Sequence, residues 1–263
     1  MTFKIVVCIK QVPDTADIRW TEHNTIQREG LDSVINPFDI GAIQIANNIK
    51  RLLNDVEINV VTMGPPQAKE ALNQALAMGC DKAFLLCDKR FSGADTLATA
   101  YTLSQFIKNV IPDFNVILCG QQAVDGDTAQ TPSSMAEKLS IEQVTNVIGI
   151  KSINETESVW TKDTCSYTQE IKVKHPVLIS TLINNIEILP SINAYIKASE
   201  TVINVLTAED IDADLALIGL KGSPTQVKNA FRPVVSRVNE LIENEAPEKC
   251  AQFIIDQVNK CKA

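Results

Sequence analysis

The sequence predicts an α/β fold, a doubly wound and mostly parallel sheet with a C-terminal arm. Three observations predict it. Four short apolar or β-branched runs, KIVVCI (4–9), EINVVTM (57–63), KAFLLC (82–87) and NVILCG (115–120), suit strands buried on both faces. Helical patterns separate them, which calls for parallel pairing through right-handed crossovers. A chain of 263 residues, 45% of them hydrophobic, can also bury the core such a fold needs.

The elements follow in order. After the first strand, PFDIGAIQIANNIKRLLN places Ile40, Ile43, Ala46, Ile49 and Leu53 at helical spacing, with Pro37 in the first turn. PPQAKEALNQALAMG puts Ala68, Ala71, Leu72, Ala75 and Leu76 on one face and ends at Gly79, a C-cap candidate. GADTLATAYTLSQFIKNV predicts a third helix, and the segment after DGDTAQ a fourth. Beyond about residue 150 the pattern changes. SVWTKDTCSYTQEIKVKHPVLISTLI reads as a hairpin followed by another strand, and NNIEILPSINAYIKASE as irregular chain ending in a helical turn or more. TAEDI (207–211) has a helix-start pattern. APEKCAQFIIDQVNKC is an amphipathic helix with Cys250, Phe253, Ile254 and Val258 along a stripe. The expected division is a nucleotide-binding domain over 1–182 and a docking loop with arm over 183–263.

Composition removes several function classes. A net charge of −8 argues against a nucleic-acid binder and against docking on anionic lipid. No apolar run approaches the ~20 residues that span a bilayer, and the N-terminal run is too short for a signal peptide, so a cytoplasmic location is expected. Seven cysteines show no C-x-x-C and no zinc spacing, and several sit inside apolar runs, as reduced packing thiols do. With only His23 and His175 present and no G-x-S-x-G, neither a His-rich metal site nor a serine hydrolase is supported.

Ligands of open α/β sheets bind beyond the carboxyl ends of the strands, and three polar motifs fall there. In DGDTAQ, Asp127 and Gln130 have the spacing of a capping box, and Gly126 allows close approach of a ligand. The helix start offers amides to a phosphate, or is a capped helix with no ligand. In GADTLATA, Thr96 and Thr99 share a helix face that could bond a phosphate or a polyol, or bond nothing. In INPFDIGA, Asn36 and Asp39 could read adenine or ribose, or Asn-Pro is simply a turn and cap. Neither G-x-x-x-x-G-K-[ST] nor a G-x-G-x-x-G after the first strand is present, so a nucleotide would be held by helix starts and backbone amides.

Taken together, VCIKQVPDT (7–15), REGLDSVINPFD (28–39), GADTLATA (93–100) and GQQAVDGDTAQ (120–130) resemble the β-subunit of electron-transfer flavoproteins. VTMGPPQAKEALNQALAMGCDKAFLL (61–86) and LTAEDIDADLALIGLKGSPT (206–225) are similar too, so the likeness runs through nearly the whole chain in order. The resemblance implies a heterodimer with an α-subunit, embraced by the C-terminal arm. One branch of the family holds only AMP in this subunit, as a structural ligand. The other holds FAD, takes hydride from NADH and bifurcates the electrons between ferredoxin and an acyl-CoA dehydrogenase. The wording DGDTAQ and REG…INPFD resembles the FAD-bearing branch. Carried over, Cys8, Asn36 and Asp39 would frame adenosine or ribityl groups, and Thr62 and Met63 would line the crevice. Thr96 and Thr99 would bond phosphate or ribityl oxygens. Gly126, Asp127, Thr128, Ala129, Gln130 and Thr131 would cradle the diphosphate. Ile192 would stand where a leucine of the family inserts into the dehydrogenase.

The chain also departs from the family. It reads TPSS (131–134) where VGP usually follows, KDTCSYTQE (162–170) in place of an acidic, Gly-containing stretch, and PSINAYIKASE (190–200) in place of a Lys-rich docking loop. The competing reading from another class, a free-standing adenine-nucleotide enzyme, would need a nucleophile or a phosphate-activating motif that the sequence lacks.

Overall fold

The computed structural model describes residues 2–14, 33–183, 188–228 and 246–261. Residues 28–32 of the REGLDSV segment, His23 and residues 184–187 lie outside that set. The chain separates into two compact units, 1–229 and 230–263.

The four apolar runs form β1 (Phe3–Cys8), β4 (Val56–Met63), β5 (Lys82–Leu86) and β6 (Val116–Gly120). A small antiparallel pair, β2 (Gln11–Pro13) with β3 (Ser33–Ile35), follows β1. In the second half, β7 (Glu142–Ile153), β8 (Glu157–Asp163), β9 (Thr168–Lys174) and β10 (Val177–Thr181) precede β11 (Ile203–Leu206). Nine of these strands make one sheet in the order β11-β5-β4-β1-β6-β10-β7-β8-β9. Pairing is parallel from β11 to β7 and antiparallel between β7, β8 and β9. From β1 the chain winds outward to β4 and β5, then returns to lay β6 on the other side of β1. The order therefore reverses between β1 and β6, the switch point above whose carboxyl ends open α/β sheets place their ligand crevice.

The helices cover both faces. On one side α1 (Pro37–Leu52), α2 (Lys69–Ala77) and α5 (Ile192–Glu200) bury Ile43, Ile49, Leu72 and Ala198 against Ile5, Val7 and Val60. On the other, α3 (Thr96–Val110) and α4 (Thr131–Leu139) bury Phe106, Ile107 and Met135 against Val6, Ile117 and Leu178. Alternation along each strand sends neighbouring side chains to opposite faces, so every central strand must be apolar throughout. Pro37 starts α1 as expected. Gly79, at φ 117, lies just past the end of α2, where its amide bonds Leu76 O.

Several expectations are corrected. The fourth helix starts at Thr131 with Gln130 at its N-cap and no side-chain cap, so Asp127 and Gln130 form no capping box. Asp127 instead adopts φ 54 and accepts a hydrogen bond from Gln122 Nε2. TAEDI forms a turn rather than a helix, because Asp210 closes back on Thr207 N and Oγ1, at 2.8 and 2.7 Å, with no apolar stripe to continue it. Residues 183–228, assigned in the sequence to loop and arm, supply β11 to the edge of the sheet beside β5. The tail helix, α6 (Pro247–Cys261), exposes Ile254, Ile255 and Val258.

Candidate functional site

The crevice between β1 and β6 is built by α1 from below. Asn36 caps no amide of that helix. It reaches across, donating from Nδ2 to Gln122 O at 2.8 Å and accepting at Oδ1 from Val124 N at 3.2 Å. Asp39, 5% exposed, accepts at Oδ2 from Lys10 N at 2.7 Å and at Oδ1 from Gly120 N at 3.0 Å. Thr181 Oγ1 lies 3.1 Å from Phe38 O and 3.3 Å from Cys119 O. Three side chains thus tie α1 to the ends of β1, β6 and the loop after β6. Gly120 makes the approach possible, since a Cβ there would lie 2.3 Å from Asp39 Oδ1 and 2.6 Å from Phe38 Cβ.

Burial pushes the Asp39 carboxyl up to about 7, against the opposing pull of the Lys10 amide, the Asn36 side chain, the Gly120 amide and the Lys10 charge. Cys8 and Cys119 face each other in register on β1 and β6, both buried on the α3/α4 side. Their hydrogen bond, reinforced by burial and by the charge of Asp39, holds the Cys119 thiol well above the usual thiol range. These cysteines fill the crevice floor as packed thiols.

The loop over residues 121–130 rises from this base. Lys10 Nζ pairs with Asp125 Oδ1 at 2.7 Å and Gln122 holds Asp127. The two carboxylates that would repel a phosphate are therefore already engaged. Asp127 and Ala129 both adopt φ 54, a conformation costly for residues with a Cβ, and Gln130 returns to the right-handed region. Such alternation turns successive amides toward one point, an anion-binding nest. The N–H groups of Thr128, Ala129, Gln130, Thr131 and Ser133 have no protein acceptor among the described residues. They lead into and open α4, whose dipole favours negative charge. Gly126 has open space around it.

On the same side, α3 packs against α4. Its first amides are occupied, because Asp95 accepts from Leu97 N and Ala98 N, both at 3.0 Å, and anchors Thr225 through Oδ2. Thr96 and Thr99 are half-buried, and neither hydroxyl has a protein partner among the described residues. Met63 packs against this cluster, and Thr62 is buried on the opposite face with Val60. The residues picked from the sequence therefore divide. Cys8, Met63, Thr96, Thr99 and the loop Gly126–Thr131 belong to the α3/α4 side, whereas Asn36, Asp39 and Thr62 belong to the α1 side, where Asn36 and Asp39 bond backbone. Lys10, Gly120 and Thr181 are needed to build the crevice and were not singled out. Lys10 could have been noticed as the cation directly following the first strand.

Residues 23–210 match the electron transfer flavoprotein domain. The chain is 41% identical to the electron transfer flavoprotein subunit beta of Clostridium acetobutylicum over 252 residues, 95% of this chain and 96% of the relative. The chain belongs to the electron transfer flavoprotein family. It is also 38% identical to Protein FixA of Bradyrhizobium diazoefficiens, covering 96% of this chain and 90% of the relative. With the caffeyl-CoA reductase-Etf complex subunit CarD of Acetobacterium woodii it shares 37% identity across 98% of both chains. Family membership makes flavin a natural ligand class for the crevice, and the donor set fits it. Free amides suit a diphosphate, two unpartnered hydroxyls suit a polyol, and no metal-ligand cluster occurs among the described residues.

A second surface feature lies on α5. Ser191 caps the helix, accepting from Ala194 N at 3.2 Å. Ile192, Tyr195 and Ile196 share its outer face, and Ile192 and the preceding Leu189 are each 80% exposed. Three large apolar side chains on one helix face in water are the kind of feature that interaction surfaces show. No helix among the described residues is long and apolar enough to cross a membrane.

Proposed function

We propose that this chain is the β-subunit of an NADH-oxidising electron-transfer flavoprotein, working in the cytoplasm with an α-subunit. FAD bound in the crevice would supply the two-electron chemistry, accepting hydride from NADH and passing electrons through the α-subunit flavin to an acyl-CoA dehydrogenase, with ferredoxin as a second acceptor. The protein residues bind and orient. The amides of Thr128, Ala129, Gln130, Thr131 and Ser133 hold the diphosphate, Thr96 and Thr99 bond polyol or phosphate oxygens, and Asn36 and Asp39 keep the strand ends in place beneath. The observation that carries this reading is the run of amides at the start of α4, and the two hydroxyls at the start of the neighbouring α3, that have no protein partner among the described residues. The kinship with a subunit named for a caffeyl-CoA reductase complex supports the coupling to acyl-CoA chemistry.

A second reading is AMP as a structural ligand. It is favoured by the engagement of Asn36 and Asp39 with backbone, which leaves fewer side chains for a flavin's ribityl arm. The double substitution Thr96→Val with Thr99→Val separates the two. It removes both hydroxyls while keeping shape, so FAD retention after dialysis should fall, whereas AMP held by the amide nest should stay. Full flavin retention in the double variant would contradict the assigned site.

A further inference from the structure

Asp39 is a carboxylate that the crevice needs but cannot offer to a ligand. Both its oxygens are taken, one by the amide following β1 and one by the last amide of β6. It sits in the first turn of α1, where the helix dipole favours an anion, and the missing Cβ of Gly120 is what lets it come this close to the end of β6. We infer that Asp39 is the positioning residue of this crevice: by accepting the Lys10 and Gly120 amides together it fixes the course of the chain where it leaves β1 and β6, and nucleotide affinity follows its ionisation. The inference rests on the nucleotide site proposed above.

The physical reason is an acceptor count. An ionised carboxylate serves both amides. A protonated one turns one oxygen into a donor and serves the Lys10 and Gly120 amides less well; burial still favours this form, so the loss falls on the geometry of the clasp and not on the stability of the fold. The segments leaving the two strands then loosen, and the loop over 121–130, held to α1 by Asn36, loses part of its base. The groups facing Asp39 are few. Beyond β1 stands the Lys10 ammonium, itself paired with Asp125 of the loop after β6, and on β6 the Cys119 thiol feels the Asp39 charge. Burial places the Asp39 titration near neutrality, up to about 7.

The test uses the full chain with its α-subunit, stripped of flavin, and FAD as the probe. FAD carries its diphosphate as a diester and exchanges no proton near neutrality, so any linkage belongs to the protein. FAD affinity should fall about tenfold from about pH 8 to about pH 6, and binding near pH 7 should release protons, read by calorimetry in buffers of different ionisation heat. Asp39→Asn should bind weakly and without this inflection. Lys10→Gln keeps the backbone amide but removes a charge that favours the ionised form, so its inflection should move to higher pH. A flat or inverted profile in the native protein overturns the inference. So does an unchanged inflection in Asp39→Asn, or its disappearance in Lys10→Gln, which would assign it to the Lys10–Asp125 pair. FAD failing to bind at every pH would instead remove the flavin reading itself, and this inference with it.

Discussion

Gly120 and Asp39 show how closely the crevice is built at the scale of single residues. A methyl group at position 120 would meet Asp39 Oδ1 at 2.3 Å and the Phe38 carbonyl carbon at 2.9 Å. Gly120→Ala should therefore push α1 from β6 and destabilise by about 1–3 kcal/mol, visible as a lower urea midpoint with unchanged slope. Asp39 has a separate signature in stability. Its folded-state pKa is raised, so its contribution is fully present below the unfolded value near 4 and is lost as pH rises through about 7. Urea unfolding across that window should show a loss on the order of 3 kcal/mol that Asp39→Asn does not share. Here the sequence was only half legible. A polar residue beside a strand end looks the same whether it binds a ligand or clasps backbone, and Asn36 and Asp39 turn out to clasp. Asp127 and Gln130 have capping-box spacing, but the left-handed turns at Asp127 and Ala129 displace the helix start, and spacing carries no φ.

At the scale of elements, caps and exposed faces decide. Asp95 caps α3 and also anchors Thr225 by 3.0 and 2.7 Å bonds from its amide and hydroxyl. Asp95→Ala should cost about 1–2 kcal/mol for the cap alone, and should free residues 223–228 for proteolysis. On α5, the 80% exposed Ile192 stands on an apolar face that nothing in this chain covers among the described residues. If a dehydrogenase docks there, Ile192→Ala should lower coupled turnover several-fold and leave NADH-to-dye reduction nearly intact, because burying such a side chain contributes about 1.5–3 kcal/mol. Equal loss of both rates would place the damage in the flavin site. Four strands of the first half, β1, β4, β5 and β6, were legible because each is an apolar or β-branched run buried on two faces; the short pair β2 and β3 was not. β7 and β11 were not: EQVTNVIGIKSI mixes polar and apolar residues around three register shifts, and INVL is four residues on an edge. Their places come from pairing with distant strands, which local pattern does not encode.

For the whole molecule, the doubly wound class was readable from alternation of strand and helix, and with it the carboxyl-end rule that located the crevice. The insertion of β10 between β6 and β7 was not readable, since it depends on which strand pairs across 60 residues of sequence. The arm is a whole-chain property too. α6 carries Ile254, Ile255 and Val258 exposed on a unit of its own. Deleting 246–263 should leave the α/β unit folded by circular dichroism while reducing co-purification with the α-subunit, and full co-purification would remove the arm's role. The central claim, that this chain holds a flavin for electron transfer, is met most directly by the nucleotides released from the purified α/β assembly. The account predicts two FAD per αβ pair and no AMP; one FAD with one AMP would contradict it.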